Sequence, residues 1–194
     1  MESGSPFSLE QLMARRRDLS LVKSALGGDK RAFERLCSLH RKRIAALGMN
    51  FFKRAEDRDD FVQEVFMKVY MKLPSFRGES SFATWVTAVA YNLAVNSLTR
   101  RSEYVPLADE ELLRGKGLTP EEELVRKLTA EAVREAVREL PGKYGICLEL
   151  YFFHDLSYGE IARVTGFPLN TIKSHVFRGK KLLQEKLKWA GQGA

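Results

Sequence analysis

A chain of 194 residues that is 44% hydrophobic and 29% charged has apolar material for one ordinary domain or two small ones, which excludes wholesale disorder. Its net charge of +7 and pI near 9.5 point to a polyanionic partner, either nucleic acid or an anionic membrane surface. Cys37 and Cys147 stand far apart, as do His40, His154 and His175, so a zinc site built on closely spaced ligands is excluded and no metal or cofactor is expected.

No apolar run reaches the roughly 18–20 residues of a membrane span, and the N-terminus lacks a signal-peptide core. The expected location is the cytoplasm, without membrane insertion, where the two cysteines read as packed thiols. Charge is laid out in blocks. Residues 1–101 hold 18 Lys/Arg and 11 Asp/Glu, residues 102–125 hold 2 and 7, and residues 126–194 hold 12 and 7. Two basic blocks therefore flank an acidic connector.

In chain order, residues 1 to about 16 are polar with little periodicity and read as a loose extension, 1–17 in all. A helix is expected from about Asp18, with Leu21, Val22, Ala25 and Leu26 on one face and Gly27-Gly28 as its stop. Asp29 should cap a second helix that turns Phe33, Leu36, Cys37, His40, Ile44 and Leu47 to one side and a row of Lys and Arg to solvent. Acids at Glu56 to Asp60 suit the positive end of a third helix, whose apolar stripe is Val62, Val65, Phe66, Val69 and Leu73. Pro74 ends it.

The loop from Leu73 to Ser81 mixes turn residues with Phe76 and Arg77, and Ser80 or Ser81 can cap a fourth helix running to about Arg100. Phe82, Trp85 and Tyr91 follow, and aromatics beside cations suit unstacked bases as well as they suit a core. On that helix Asn92, Asn96, Arg100 and Arg101 lie off the apolar spacing of Val86, Ala90, Leu93 and Ser97. Residues 102–125, broken by Pro106, Gly115, Gly117 and Pro120, form a flexible acidic linker between an 18–101 domain and a 126–190 domain.

A helix opening at Thr119-Pro120-Glu121-Glu122 should run to about Leu140, and a second should cover about Tyr144 to Phe153. Ser157 with Glu160 forms a capping box, a Gly-containing turn follows at Gly166, and Asn170 opens the last helix. This is a helix-turn-helix. Ile172, Val176, Gly179 and Leu183 keep core phase, leaving Lys173, Ser174, Phe177, Arg178 and Lys181 on other faces, as a DNA-recognition helix requires. The fold class is all-α, two small helical domains joined by the linker.

Six blocks then carry a resemblance: GDKRAFERL (28–36), DFVQEVF (60–66), LPSFRGESSFATWV (73–86), AYNLAVNSLTRR (90–101), LTPEEEL (118–124) and LSYGEIARVTGFPLNTIKSHVFRGKKLL (156–183). Together they resemble bacterial RNA polymerase sigma factors of the extracytoplasmic-function (ECF) type in the sigma-70 family. The resemblance implies docking on the clamp helices of the polymerase β′ subunit through Asp60, Gln63, Glu64 and Phe66. It implies −10 recognition and strand opening through Phe76, Arg77, Asn92, Asn96, Arg100 and Arg101. Reading of the −35 duplex would fall to Lys173, Ser174, His175, Phe177, Arg178 and Lys180, with a contact to the β flap. An anti-sigma factor is an implied partner, and no catalysis is.

Three positions depart from the family's habit: Tyr91 and Gly145 stand where Arg is common, and Asn96 where Asp is. Tyr91 reads as an added stacking surface and Gly145, with Gly142, as a loosening of its helix start. The competing reading is a stand-alone helix-turn-helix regulator that binds operator DNA, which leaves the 60–66 motif and the loop unexplained. An enzyme would need a carboxylate set or an activated nucleophile that the sequence does not present.

Overall fold

The structure is a computed structural model that describes residues 9–102 and 130–192, with the side chains of 99–102, 130–132 and 188–192 left aside. Among the described residues every regular element is helical. The chain divides into two compact units, residues 1–94 and 95–194. The acidic connector and the expected opening at Thr119 lie outside the described residues.

In the first unit α1 spans Leu9–Leu26, α2 Lys30–Gly48 and α3 Ala55–Lys72, and α4, Phe82–Ser102, begins there and runs past residue 94. A 3-10 turn at Leu73–Ser75 leads into the loop that joins α3 to α4. Helix α1 corrects the expectation of a loose extension from residue 9 onward, because it begins at Leu9, nine residues before Asp18. Its first half is built from good helix formers but has no buried stripe: Leu9, Leu12 and Met13 are all exposed, so periodicity gave no signal. The helix is held by Val22 and, unexpectedly, by Asp18, both buried.

Asp29 caps α2 as its position demands, accepting from the Arg31 and Ala32 amides at 2.9 and 3.2 Å. Leu36, Ile44 and Leu47 of α2, Val62, Val65 and Val69 of α3 and Val86 and Ala90 of α4 are all buried core residues, and α2 packs on α3. Phe61, absent from the expected stripe, is buried too and leans on Phe52 with ring centroids 5.1 Å apart. Pro74 sits within the 3-10 turn, and Ser81 caps α4 by accepting from the Thr84 amide at 3.0 Å.

In the second unit α5 spans Ala130–Arg138, α6 Gly142–Phe152, α7 Tyr158–Thr165 and α8 Leu169–Gln192. The capping box is complete: the Glu160 amide donates to Ser157 Oγ at 3.3 Å and the Ser157 amide to Glu160 Oε2 at 3.0 Å. Gly166 ends α7 at φ 75°, the left-handed conformation that a residue with a Cβ adopts only at a cost, and so makes the turn of the helix-turn-helix. Ile172, Val176, Gly179 and Leu183 of α8 are buried, as their phase requires. Each of the three large ones contributes about 1.5–3 kcal/mol over the exposed state.

Gly145 does not loosen its helix. A Cβ there would lie 2.9 Å from the Val137 carbonyl oxygen and 3.4 Å from that of Leu140, so the glycine lets α6 approach the end of α5. Gly145→Ala is expected to cost about 1–3 kcal/mol by forcing backbone apart. Thermal unfolding checks it: Gly142→Ala, where a Cβ meets open space, should stay within about 1 kcal/mol of the parent.

Candidate nucleic-acid interface

Three surfaces collect the residues singled out in the sequence. The first is the outer side of α3. Asp60, Gln63 and Glu64 are exposed at i, i+3 and i+4, and Phe66 is half-buried at their border. Glu64 also reaches Lys68 at 3.8 Å, an exposed pair worth little. The strip continues through Met67, Tyr70 and Met71, which are 65%, 60% and 75% exposed. Phe33 of α2 meets Tyr70 edge-on at 5.0 Å and widens it. Tyr70 and Met71 escaped sequence reasoning, although their place off the buried stripe was a readable signal. A contiguous apolar strip beside polar anchors is the composition of a protein-docking surface.

The second surface joins the loop to α4. Phe76 is half-buried, with its ring 5.6 Å from Phe82 and 5.3 Å from Trp85. Phe82 is core at 1% exposure, so the open rings are those of Phe76 and Trp85. From Trp85 the helix carries Val89, Asn92 and Asn96 at i+4, i+7 and i+11, one continuous face on which both asparagines are exposed. Their amides offer donors and acceptors, and the rings at the head of the face offer stacking area. Trp85 was seen only as one of several aromatics, and it is the folding of Phe76 onto it that puts it at the site. Arg77 is exposed on the loop. Arg100 and Arg101 continue α4, with side chains outside those described.

Tyr91 is a correction. It is 8% exposed, and its ring meets Phe51 edge-on at 6.0 Å, so it packs in the core and offers no stacking face to a base.

The third surface is the first half of α8. Lys173, Ser174, Phe177 and Arg178 are exposed, Phe177 to 73%. Two expected contact residues face elsewhere. The His175 ring is set edge-on between Tyr144 at 5.4 Å and Phe167 at 5.7 Å, with Nδ1 3.8 Å from Cys147 Sγ. Burial, then the charges of Lys143 and Arg178, lower its pKa, which favours a neutral ring at pH 7. Lys180 Nζ lies over the Tyr151 ring at 4.4 Å and the Phe152 ring at 5.2 Å, a cation–π contact. There Lys180 borders an apolar groove formed with Phe152, Leu183, Gln184 and Leu187.

Burial pushes the thiols of half-buried Cys37 and buried Cys147 up to about 11 each, which disfavours the thiolate at neutral pH. Among the described residues no three His, Cys, Asp or Glu side chains gather into a metal-holding group, and no helix is long and apolar enough to cross a membrane.

Comparison with known proteins follows the same two units. Residues 36–104 match the family model for Sigma-70 region 2, and residues 130–183 match that for Sigma-70, region 4. Helix α1 precedes both matches. The chain is 32% identical over 186 residues to the RNA polymerase sigma-H factor of Pseudomonas aeruginosa, covering 91% of this chain and 96% of the relative. It is 33% identical to the ECF RNA polymerase sigma-E factor of Haemophilus influenzae, covering 88% and 95%. In fold it is similar to CnrH, solved in complex with the cytosolic domain of CnrY (TM-score 0.62, 21% identity, 89% of this chain and 97% of that one). It is similar also to RpoE of Bartonella quintana, solved with the anti-sigma factor NepR (TM-score 0.63, 24% identity, 80% and 96%).

Proposed function

Since the chain belongs to the ECF sigma factors of the sigma-70 family, which bind core RNA polymerase and direct promoter recognition and DNA melting, we propose how its surfaces divide that work. The strip of Asp60, Gln63, Glu64, Phe66, Met67 and Met71 docks on the β′ clamp helices. Polar groups set the register, and exposed methionines supply adaptable apolar contact.

The face running from Phe76 and Trp85 to Asn92 and Asn96 takes the non-template strand of the −10 element. An unstacked base stacks on the open rings, and the asparagines bond to edges that duplex pairing had occupied. Arg77, Arg100 and Arg101 meet the backbone. Lys173, Ser174, Phe177 and Arg178 enter the major groove of the −35 element, cations to guanine or phosphate and the Phe177 ring to a thymine methyl. His175 braces that helix from behind. Lys180 and its groove seat the β flap, because the ammonium packs over two rings at the border of an apolar surface suited to a protein partner. Residues 18–101 and 126–190 are the two working domains, residues 102–125 their linker.

The protein works in the cytoplasm without catalysis of its own, and an anti-sigma factor is its regulator. Support for that partner comes from solved relatives: CnrH was captured with a domain of CnrY, and RpoE with the anti-sigma factor NepR.

One observation carries the division of labour. The −10 face on α4 and the docking strip on α3 are exposed on separate helices, while the residues between them are core. The test is run-off transcription with core polymerase on promoters selected from random DNA by the reconstituted holoenzyme. Transcription that depends on both elements is expected. DNA binding with no affinity for core polymerase would support the stand-alone regulator instead.

A further inference from the structure

Helix α1 reaches the strand-capture loop. Arg15 Nη2 donates to the carbonyl of Gly78 at 3.3 Å, across 63 residues of sequence. Leu19, one turn on, comes within 3.8 Å of where a Gly78 side chain would begin. Arg15, Asp18, Leu19 and Val22 fall at i, i+3, i+4 and i+7, so one face of α1 makes both this contact and the helix's attachment. That attachment is firm: Asp18 and Val22 are buried, and Asp18 is bonded to His40 of α2 at 2.9 Å.

The loop's ends are tied locally. The Phe76 amide donates to the Leu73 carbonyl at 3.1 Å, Ser75 Oγ to the Lys72 carbonyl at 2.7 Å, and Ser81 caps α4. Between them Arg77, Gly78 and Glu79 form the crest, with Gly78 at φ 73°. Arg15 and Leu19 support that crest from outside the loop.

The geometry points to α1 as a clamp on the promoter-opening loop, with Arg15 and Leu19 as positioning residues that hold 76–80 ready for an unstacked base. The inference rests on the reading that this loop captures the −10 strand. A loop already ordered loses less conformational entropy when the base arrives, so the clamp acts on capture and not on polymerase docking. Neither residue needs to touch DNA. The N-terminal stretch thus gains a role in initiation that neither matched family region includes.

The experiment uses the full chain reconstituted with core polymerase. Promoter opening is read by permanganate reactivity, together with affinity for a single-stranded −10 oligonucleotide, affinity for core polymerase and the unfolding midpoint. Arg15→Met, which keeps the stem, and Leu19→Ala are expected to slow opening and weaken oligonucleotide binding about fivefold, the scale of one charge-assisted hydrogen bond at a half-exposed site. Core affinity and unfolding should not move. Arg15→Lys keeps a donor and should restore most of the activity, and exposed Arg16→Met should match the parent.

Wild-type opening in Arg15→Met and Leu19→Ala, alongside a defect in Phe76→Ala, would overturn the clamp and leave the loop's role standing. Wild-type opening in Phe76→Ala would remove the loop reading and the clamp with it. A fall in unfolding midpoint and core affinity shared by Arg15→Met and Arg15→Lys would reduce Arg15 to a structural contact and overturn the proposal as well.

Discussion

His40→Leu is expected to destabilise the first unit by about 3 kcal/mol, because it leaves the Asp18 carboxylate buried without its closest partner. Asp18 is 4% exposed and His40 5%, and the His40 ring also lies 5.2 Å from that of Phe82. Arg17 stays bonded to Asp18 at 3.0 Å, but its side chain is 44% exposed and screened by water, so it offsets only part of the loss. For a unit of this size the change corresponds to a fall in Tm on the order of 15 °C. A shift below about 3 °C would show that the pair contributes little.

The same pair sets an acid limit. Burial pushes the Asp18 carboxyl up, but the hydrogen bond and charge of His40, with Arg17 beside them, outweigh it and hold the group below its ordinary value. A carboxyl depressed in the folded state contributes stability that is fully present above the unfolded value, about 3.9 for Asp, and fades as pH falls through the folded one. The stability gap between the parent and Asp18→Asn should therefore shrink as pH falls below about 4. Urea denaturation at a series of pH values measures it, and a gap that stayed constant to pH 2 would count against the assignment.

The second large effect separates docking from opening. A paired Asp60→Ala, Gln63→Ala substitution is expected to weaken core polymerase binding about 100-fold, the scale of losing two polar anchors that partly act together. Both are exposed, so the unfolding midpoint should hold. Met67→Ser should weaken binding further by removing a side chain that is 65% exposed. Asn92→Ala should leave core binding within about twofold and slow promoter opening about tenfold, the scale of one or two lost bonds to a base edge. Competition for labelled core polymerase measures the first step and permanganate reactivity the second. If both variants failed at the same step, the assignment of α3 to docking and α4 to strand capture would be wrong.

Asn92 is a cleaner probe than Phe76, and only the fold shows why. Phe76 packs on Phe82 and Trp85, so its removal alters the loop's footing as well as any base contact. Asn92 projects from a rigid helix whose opposite side is buried.

Much of the architecture was legible because its causes are local. The Asp29 cap, the Ser157–Glu160 box and the Gly166 turn depend on residues two to four apart, whose hydrogen bonds close within one turn. The core phase of α8 was legible for a related reason: a 3.6-residue period alone sends Ile172, Val176, Gly179 and Leu183 to one side. Exposure of Asp60, Gln63, Asn92, Lys173 and Arg178 follows from the same arithmetic.

What escaped depends on pairs far apart in the chain. Asp18 marks only the expected start of a helix, and His40 is one of three isolated imidazoles, until the packing of α1 on α2 buries them against each other, 22 residues apart. Tyr91 looked like a platform for bases, but its face of α4 turns inward onto Phe51. Gly145 looked like a weak point, yet the carbonyls of Val137 and Leu140 fill the space where a side chain would stand. Of the loop opened by Leu73-Pro74, the sequence alone determined its composition, its ends and its place between two helices, since turn chemistry and caps are short-range. Only the tertiary structure decided that Phe76 rests on Trp85 and that Arg15 holds Gly78, because both depend on which distant surfaces the core brings within a few ångströms.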